Sequence, residues 1–92
     1  MSLQIKHDPA SGRFSTQVDG HGAELLYRRL DGRLLIDHTG VPQAIGGRGV
    51  AGELVRAALD YARAENLRVA PLCSYSAEYI QRHPEYADLV DA

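Results

Sequence analysis

Three sets of residues in this chain could do chemistry. The first is the stretch Ile45-Gly46-Gly47-Arg48-Gly49-Val50-Ala51-Gly52, which places four glycines in eight residues just ahead of a helical pattern. The first N–H groups of a helix have no internal partner and lie at the positive end of its dipole, so such a junction suits an anion, a phosphate above all. Glycine lets the anion approach the backbone and permits left-handed turns, and Arg48 adds a planar cationic fork. The string Gly47-Arg48-Gly49 followed by Gly52 spells G-x-G-x-x-G. However, antiparallel strands precede it, the next strand ends in Pro71-Leu72-Cys73 rather than an acidic residue, and the Gly-Lys-Ser/Thr of a P-loop is absent. The same composition also suits a glycine turn that binds nothing. The second candidate is His38, which closes a predicted strand and can exchange a proton near neutral pH. It could equally pack beside Leu34 and Ile36 on an apolar face. The third is Cys73, the sole cysteine. It stands just ahead of a predicted helix whose N-terminus could lower its pKa and make it a nucleophile, or it is a small buried hydrophobe. His7 and His21 read as surface residues, and no His/Cys/Asp/Glu spacing suggests a metal site.

These groups need a frame. Leu3, Ile5 and His7, and then Phe14, Thr16 and Val18, alternate with polar residues as strands do. Asp8 to Gly12 is a loop by composition, and Asp19-Gly20-His21-Gly22 is a turn. Residues 23 to 30 follow as a third strand, with Ala23, Leu25 and Tyr27 on one face and Leu26 and Leu30 on the other. Asp31-Gly32 is a two-residue hairpin signal, and residues 33 to 39 make a fourth strand with Leu34, Ile36 and His38 on one side. These four strands form an antiparallel meander. A helix spans roughly 49 to 65, buried through Ala51, Leu54, Val55, Ala58 and Ala62, supported by Arg56 and Asp60 four apart, and ended by Asn66 in the left-handed conformation. Residues 67 to 72 return to strand. A strand–helix–strand crossover makes this fifth strand parallel to the fourth. Pro71 has no N–H for a ladder, so pairing should fail near the end of the fifth strand and open a gap beside the glycine loop. A short helix over 74 to 82 stops at His83-Pro84, and Tyr86 to Val90 forms a short amphipathic tail.

Bulk properties set the class. The chain has 92 residues, one domain's worth, spanning 1-92. It is 45% hydrophobic and 24% charged, with a net charge of -2, so no basic field draws it to nucleic acid or an anionic membrane. One thiol makes no internal disulfide, the N-terminal residues lack a signal-peptide core, and no apolar run reaches membrane-spanning length. The expectation is a cytoplasmic protein.

The segment from Val41-Pro42 to Ala64 resembles motif A of the GNAT N-acetyltransferases, whose loop reads Arg/Gln-x-x-Gly-x-Gly/Ala. Gly49 and Ala51 match its last two fixed positions, while Gly46 stands where Arg or Gln is usual. A closer resemblance is to the short, stand-alone GNAT-like proteins. They carry a His-Thr-x-Val-Pro stretch, then Pro-Leu-Cys, then a helix ending in Arg-His-Pro-x-Tyr, which here are His38-Thr39-Gly40-Val41-Pro42, Pro71-Leu72-Cys73 and Arg82-His83-Pro84-Glu85-Tyr86. The resemblance implies an α+β GNAT-like fold. It lacks the two helices that follow strand one in larger relatives, since only Asp8 to Gly12 separates the first two strands here.

The resemblance also implies acetyl-CoA as co-substrate and an amine of unknown identity as acceptor. CoA would then lie against Thr39, Val41, Gly46, Gly47, Arg48, Gly49, Val50, Ala51, Gly52, Tyr79 and Arg82. A backbone amide near Thr39 to Val41 would steady the oxyanion of the attacked thioester. His38 would take the amine's proton. Cys73 would serve only if the acetyl group passes through an acetyl-cysteine. The tyrosine that protonates the departing thiolate in larger relatives aligns with Ile80, with Tyr79 beside it. Arg82 and His83 either answer the dipole of the last helix or reach the CoA phosphates. The alternative to an enzyme is a CoA-binding or interaction module without turnover.

Overall fold

Two short turns organise the sheet. Asp19-Gly20 and Asp31-Gly32 are each left-handed at both residues, with φ of 51° and 78° at the first pair and 53° and 76° at the second. This conformation matches the twist of adjoining strands and favours Asp-Gly or Asn-Gly. In the computed structural model of the protein, which describes residues 3–90, these turns join β2 (Arg13–Val18), β3 (His21–Leu30) and β4 (Arg33–Gly40). A three-residue β1 (Lys6–Asp8) pairs with β2, and all these pairings are antiparallel. The third strand begins two residues earlier than the alternation suggested, at His21.

After β4 the chain makes a 3-10 turn (Gln43–Ile45) and enters α1 (Val50–Ala64). It returns through β5 (Arg68–Pro71), parallel to β4, so the sheet order is β1-β2-β3-β4-β5. Then come α2 (Ser74–Arg82) and a 3-10 segment (Pro84–Leu89). The antiparallel meander, parallel fifth strand, long helix and short last helix are the α+β arrangement the sequence implied.

The buried face of α1 is Val50, Leu54, Val55, Ala58, Leu59 and Ala62; Ala51 is half-buried instead, because the stripe is rotated toward Val50 and Leu59. Asn66 ends the helix at φ 57° as expected. The stripe packs on Phe14, Ala23, Leu25, Tyr27, Leu34, Ile36 and Val69, which share one face of the sheet. Ile80 of α2 belongs to the same core, so both helices lie on that face, and Leu26 and Leu35, pointing the other way, stay half-exposed. The tail folds back on the core through Tyr86 and Leu89, and Val90 bridges Val69 at the outer edge of β5.

One irregularity decides where the chemistry points. Leu26 pairs with His38 but Tyr27 pairs with Ile36, so Asp37 is an extra residue in β4. A bulge of this kind interrupts the alternation of side chains. Leu34 and Ile36 face the helices, but His38 faces the open side of the sheet, opposite Leu26. The expectation that His38 shares a face with Leu34 and Ile36 is therefore corrected. Thr39, opposite Leu25, is the residue that turns back toward the helices.

Candidate active site

The ladder between β4 and β5 ends where Pro71 was expected to end it, at the pairing of Ile36 with Pro71. Beyond that point the Ile36 carbonyl accepts from both Leu72 N–H (3.0 Å) and Cys73 N–H (3.1 Å), and β5 turns away into α2. β4 runs on to Gly40 with β3 alone. The strands thus part beside the bulge, and the gap is bridged by side chains.

Cys73 stands at the gap as the N-cap of α2. Its Sγ accepts from the Ser76 N–H at 3.4 Å and lies 3.2 Å from Ser76 Oγ and 3.5 Å from Thr39 Oγ1. Ser76 Oγ also donates to the Cys73 carbonyl at 2.8 Å, which holds the cap in place. Burial pushes the thiol pKa up and is the largest single influence. The Ser76 and Thr39 hydroxyls and the N–H groups of Ser76 and Tyr75 together outweigh it, so the net direction is downward. Donors that face the sulfur favour its charged form.

The glycine loop lies where β4 leaves the sheet. Its start is fixed by Ile45, fully buried, and by the turn bonds from Ile45 N–H to the Pro42 carbonyl and from Gly46 N–H to the Gln43 carbonyl. Gly47 and Gly49 both have φ 77°, a region side-chain-bearing residues resist, and no atom lies within 4 Å of where a Cβ would stand at either. Gly49 is the N-cap of α1 with no side-chain cap, and the helix's hydrogen bonds begin with Glu53 N–H to the Gly49 carbonyl. The N–H groups of Val50, Ala51 and Gly52 therefore have no partner within the helix. Gly52 has a second duty: a Cβ there would meet Tyr75 Oη and Tyr79 Cε2, each at 3.4 Å, so α2 seats its tyrosines against the first turn of α1.

Other expected residues scatter. His38 is exposed, on the opposite side of β4 from Thr39 and Cys73, with its ring over Gly40 so that a Cβ there would come within 2.9 Å of its Nε2. His38 and Cys73 form no dyad. Val41 packs against the core. Tyr79 stacks on the His83 ring, centroids 3.9 Å apart, and burial raises its pKa. Ile80, at the position aligned with a general acid, is buried in the core. Tyr75 is partly exposed, with its hydroxyl over Gly52. Arg82 is exposed at the last residue of α2, the end away from Cys73.

Three arrangements escaped the sequence reading. Thr39 and Ser76 hold the Cys73 thiol; the cue was a hydroxyl three residues after a helix-capping position. Arg48 of the glycine loop is ion-paired with Asp19 of the β2–β3 turn. His7, expected at the surface, is instead stacked on Phe14 (4.0 Å) and hydrogen-bonded to the Tyr27 hydroxyl, beside Tyr61, at the other end of the helix–sheet interface. Burial lowers the His7 pKa and raises that of Tyr27 to about 12. Among the described residues no group of His, Cys, Asp and Glu could hold a metal ion, and no helix is long and apolar enough to cross a membrane.

The chain has counterparts among known proteins in sequence and in fold. A sequence profile of the GCN5-related N-acetyl-transferase family matches residues 13–89. The chain belongs to that family. Protein NATD1 of Gallus gallus is 34% identical over 85 residues, which cover 89% of this chain and 77% of the relative. Protein NATD1 of Mus musculus gives the same identity and coverage. The NMR solution structure of a GCN5-like N-acetyltransferase candidate from Staphylococcus aureus superposes with a TM-score of 0.76 at 32% identity, over 98% of this chain and 89% of that one. Membership of this GNAT family thus rests on the residues 13–89 that build β2 to β5, the glycine loop and both helices.

Proposed function

We propose that this protein binds acetyl-CoA and transfers its acetyl group to an amine. The observation that carries the reading is the parting of β4 and β5 at Ile36 and Pro71, at the end of the sheet where the uncapped glycine loop opens α1. The backbone N–H groups from Gly47 to Gly52, with Gly46 at the entry to the loop, suit a pyrophosphate, and Arg48 supplies a compensating charge. The thioester would then lie in the gap, against the backbone of Thr39 in β4 and of Val41 just beyond it. There an amide N–H can stabilise the oxyanion that forms when the carbonyl is attacked. The attacking amine must first lose a proton, and His38 faces the open side from which an acceptor can approach. Tyr79 and Arg82 would bound the CoA site from α2. No metal is required in this scheme.

The geometry around Cys73 favours a second route to the same product. The thiolate attacks the thioester carbon, the carbon–sulfur bond to CoA breaks and CoA leaves as its thiolate. The neutral amine then attacks acetyl-Cys73, giving the amide and returning the thiol. The Thr39 hydroxyl at 3.5 Å and the Ser76 N–H at 3.4 Å support this route, because each can donate to the thiolate. A cytoplasmic location suits such a free thiol, since that compartment keeps thiols reduced.

The test is calorimetric titration with CoA and acetyl-CoA, followed by an assay of amine-dependent CoA release. Binding with turnover supports the enzyme. Binding without turnover over a panel of amines supports a CoA-binding module, and no binding overturns both. Mass spectrometry after acetyl-CoA treatment separates the routes: an acetyl adduct that disappears in Cys73→Ala supports the cysteine, and one that persists on that variant refutes it.

A further inference from the structure

We infer that Asp19 sets the affinity of the glycine loop for its anionic ligand, by holding Arg48 in an ion pair that a phosphate must displace; this rests on the CoA reading above. The two residues are 29 apart in sequence and meet because the β2–β3 turn reaches the loop at the start of α1. Arg48 Nη1 donates to Asp19 Oδ2, and the side chains are 51% and 66% exposed, so the pair can open. Arg48 sits between Gly47 and Gly49, the two left-handed residues that shape the loop. Its guanidinium is the charge nearest the uncapped helix start by sequence, and Asp19 occupies it while placing a carboxylate beside a site meant for phosphates. A ligand has to take the guanidinium from Asp19 before it gains the charge-assisted hydrogen bonds of an arginine.

The turn does not need this carboxylate. Asp19 and Gly20 adopt the left-handed pair that asparagine–glycine fills equally well, so Asp19→Asn keeps the turn and removes only the charge. The fold also supplies its own control. Asp31-Gly32 has the same conformation at the opposite end of β3, a ten-residue strand roughly 33 Å long, remote from the loop. Asp31→Asn changes the net charge identically.

The experiment is titration of CoA into the wild type, Asp19→Asn, Asp31→Asn, Arg48→Ala and the double variant Asp19→Asn/Arg48→Ala at low and high salt. Expected are about 2- to 5-fold tighter binding by Asp19→Asn at low salt, the range of an exposed ion pair, and a smaller gain at high salt. Asp31→Asn should match the wild type, Arg48→Ala should bind more weakly, and Asp19→Asn should add less in the Arg48→Ala background than it does alone. Unchanged or weaker binding by Asp19→Asn overturns the inference while leaving CoA binding standing. So does an equal gain in Asp31→Asn, or an undiminished gain in the absence of Arg48. No binding by any of the five proteins overturns the CoA reading and this inference together.

Discussion

Replacing Thr39 by valine isolates the hydroxyl that β4 presents to Cys73. Valine keeps the branched shape a strand accommodates and removes the oxygen 3.5 Å from Sγ. A hydrogen bond to a charged group contributes about 1.5–3 kcal/mol. At 3.5 Å, to a sulfur that is only partly buried, solvent screening reduces this to about half the lower figure, ~0.7 kcal/mol. That energy is about a 3-fold change in the ionisation equilibrium, so the thiol pKa should rise in Thr39→Val. The direction follows because the hydroxyl favours the thiolate and burial, left with less opposition, disfavours it. Near neutral pH the thiolate fraction, and with it the rate of alkylation by iodoacetamide, should fall about 3-fold. The assay is the pH dependence of that rate, read by mass spectrometry at Cys73, with the folded state checked by circular dichroism. A pKa that stays put or falls in a folded Thr39→Val protein would refute the argument that β4 tunes this thiol across the gap.

Three further outcomes are expected. Gly12→Ala should destabilise the fold by about 2 kcal/mol or more in urea denaturation, since the residue is left-handed at φ 67° and a Cβ would stand 2.2 Å from the Tyr27 carbonyl oxygen. Because burial lowers the His7 pKa, the unfolded chain binds this proton more readily than the fold. Stability should therefore fall as pH drops below about 6.5, and His7→Phe, which keeps the stacking on Phe14, should flatten Tm between pH 5 and 7. Gly49→Ala should cost about 1–2 kcal/mol of stability from its positive φ, and calorimetry should show it weakening CoA binding by more than Gly32→Ala, the same change at a left-handed glycine remote from the loop.

Local features were legible because each has a local cause. Asp31-Gly32 forms its hairpin because the turn requires φ > 0 at both residues, and Asn66 ends α1 for a similar reason. Pro71 marks the end of the β4–β5 ladder because it has no N–H to give. The glycine loop reads as a helix start because glycines gather ahead of a 3.6-residue period. The residues matching the GNAT pattern likewise run consecutively, so the family was visible in the chain.

The placement of side chains about the site is a different matter. His38 follows Leu34 and Ile36 in perfect alternation, yet Asp37 bulges out and sends it to the other face; a bulge depends on the register between two strands, which alternation within one strand does not contain. The Thr39–Cys73 contact spans 34 residues and the Arg48–Asp19 pair 29. His7 is half-buried because three aromatic rings from β2, β3 and α1 close around it. The sequence by itself determined the elements, the loop and the family, since backbone conformation answers to neighbouring residues. Only the tertiary structure decided which groups face each other across the gap, since that follows from strand register and packing between segments far apart in the chain.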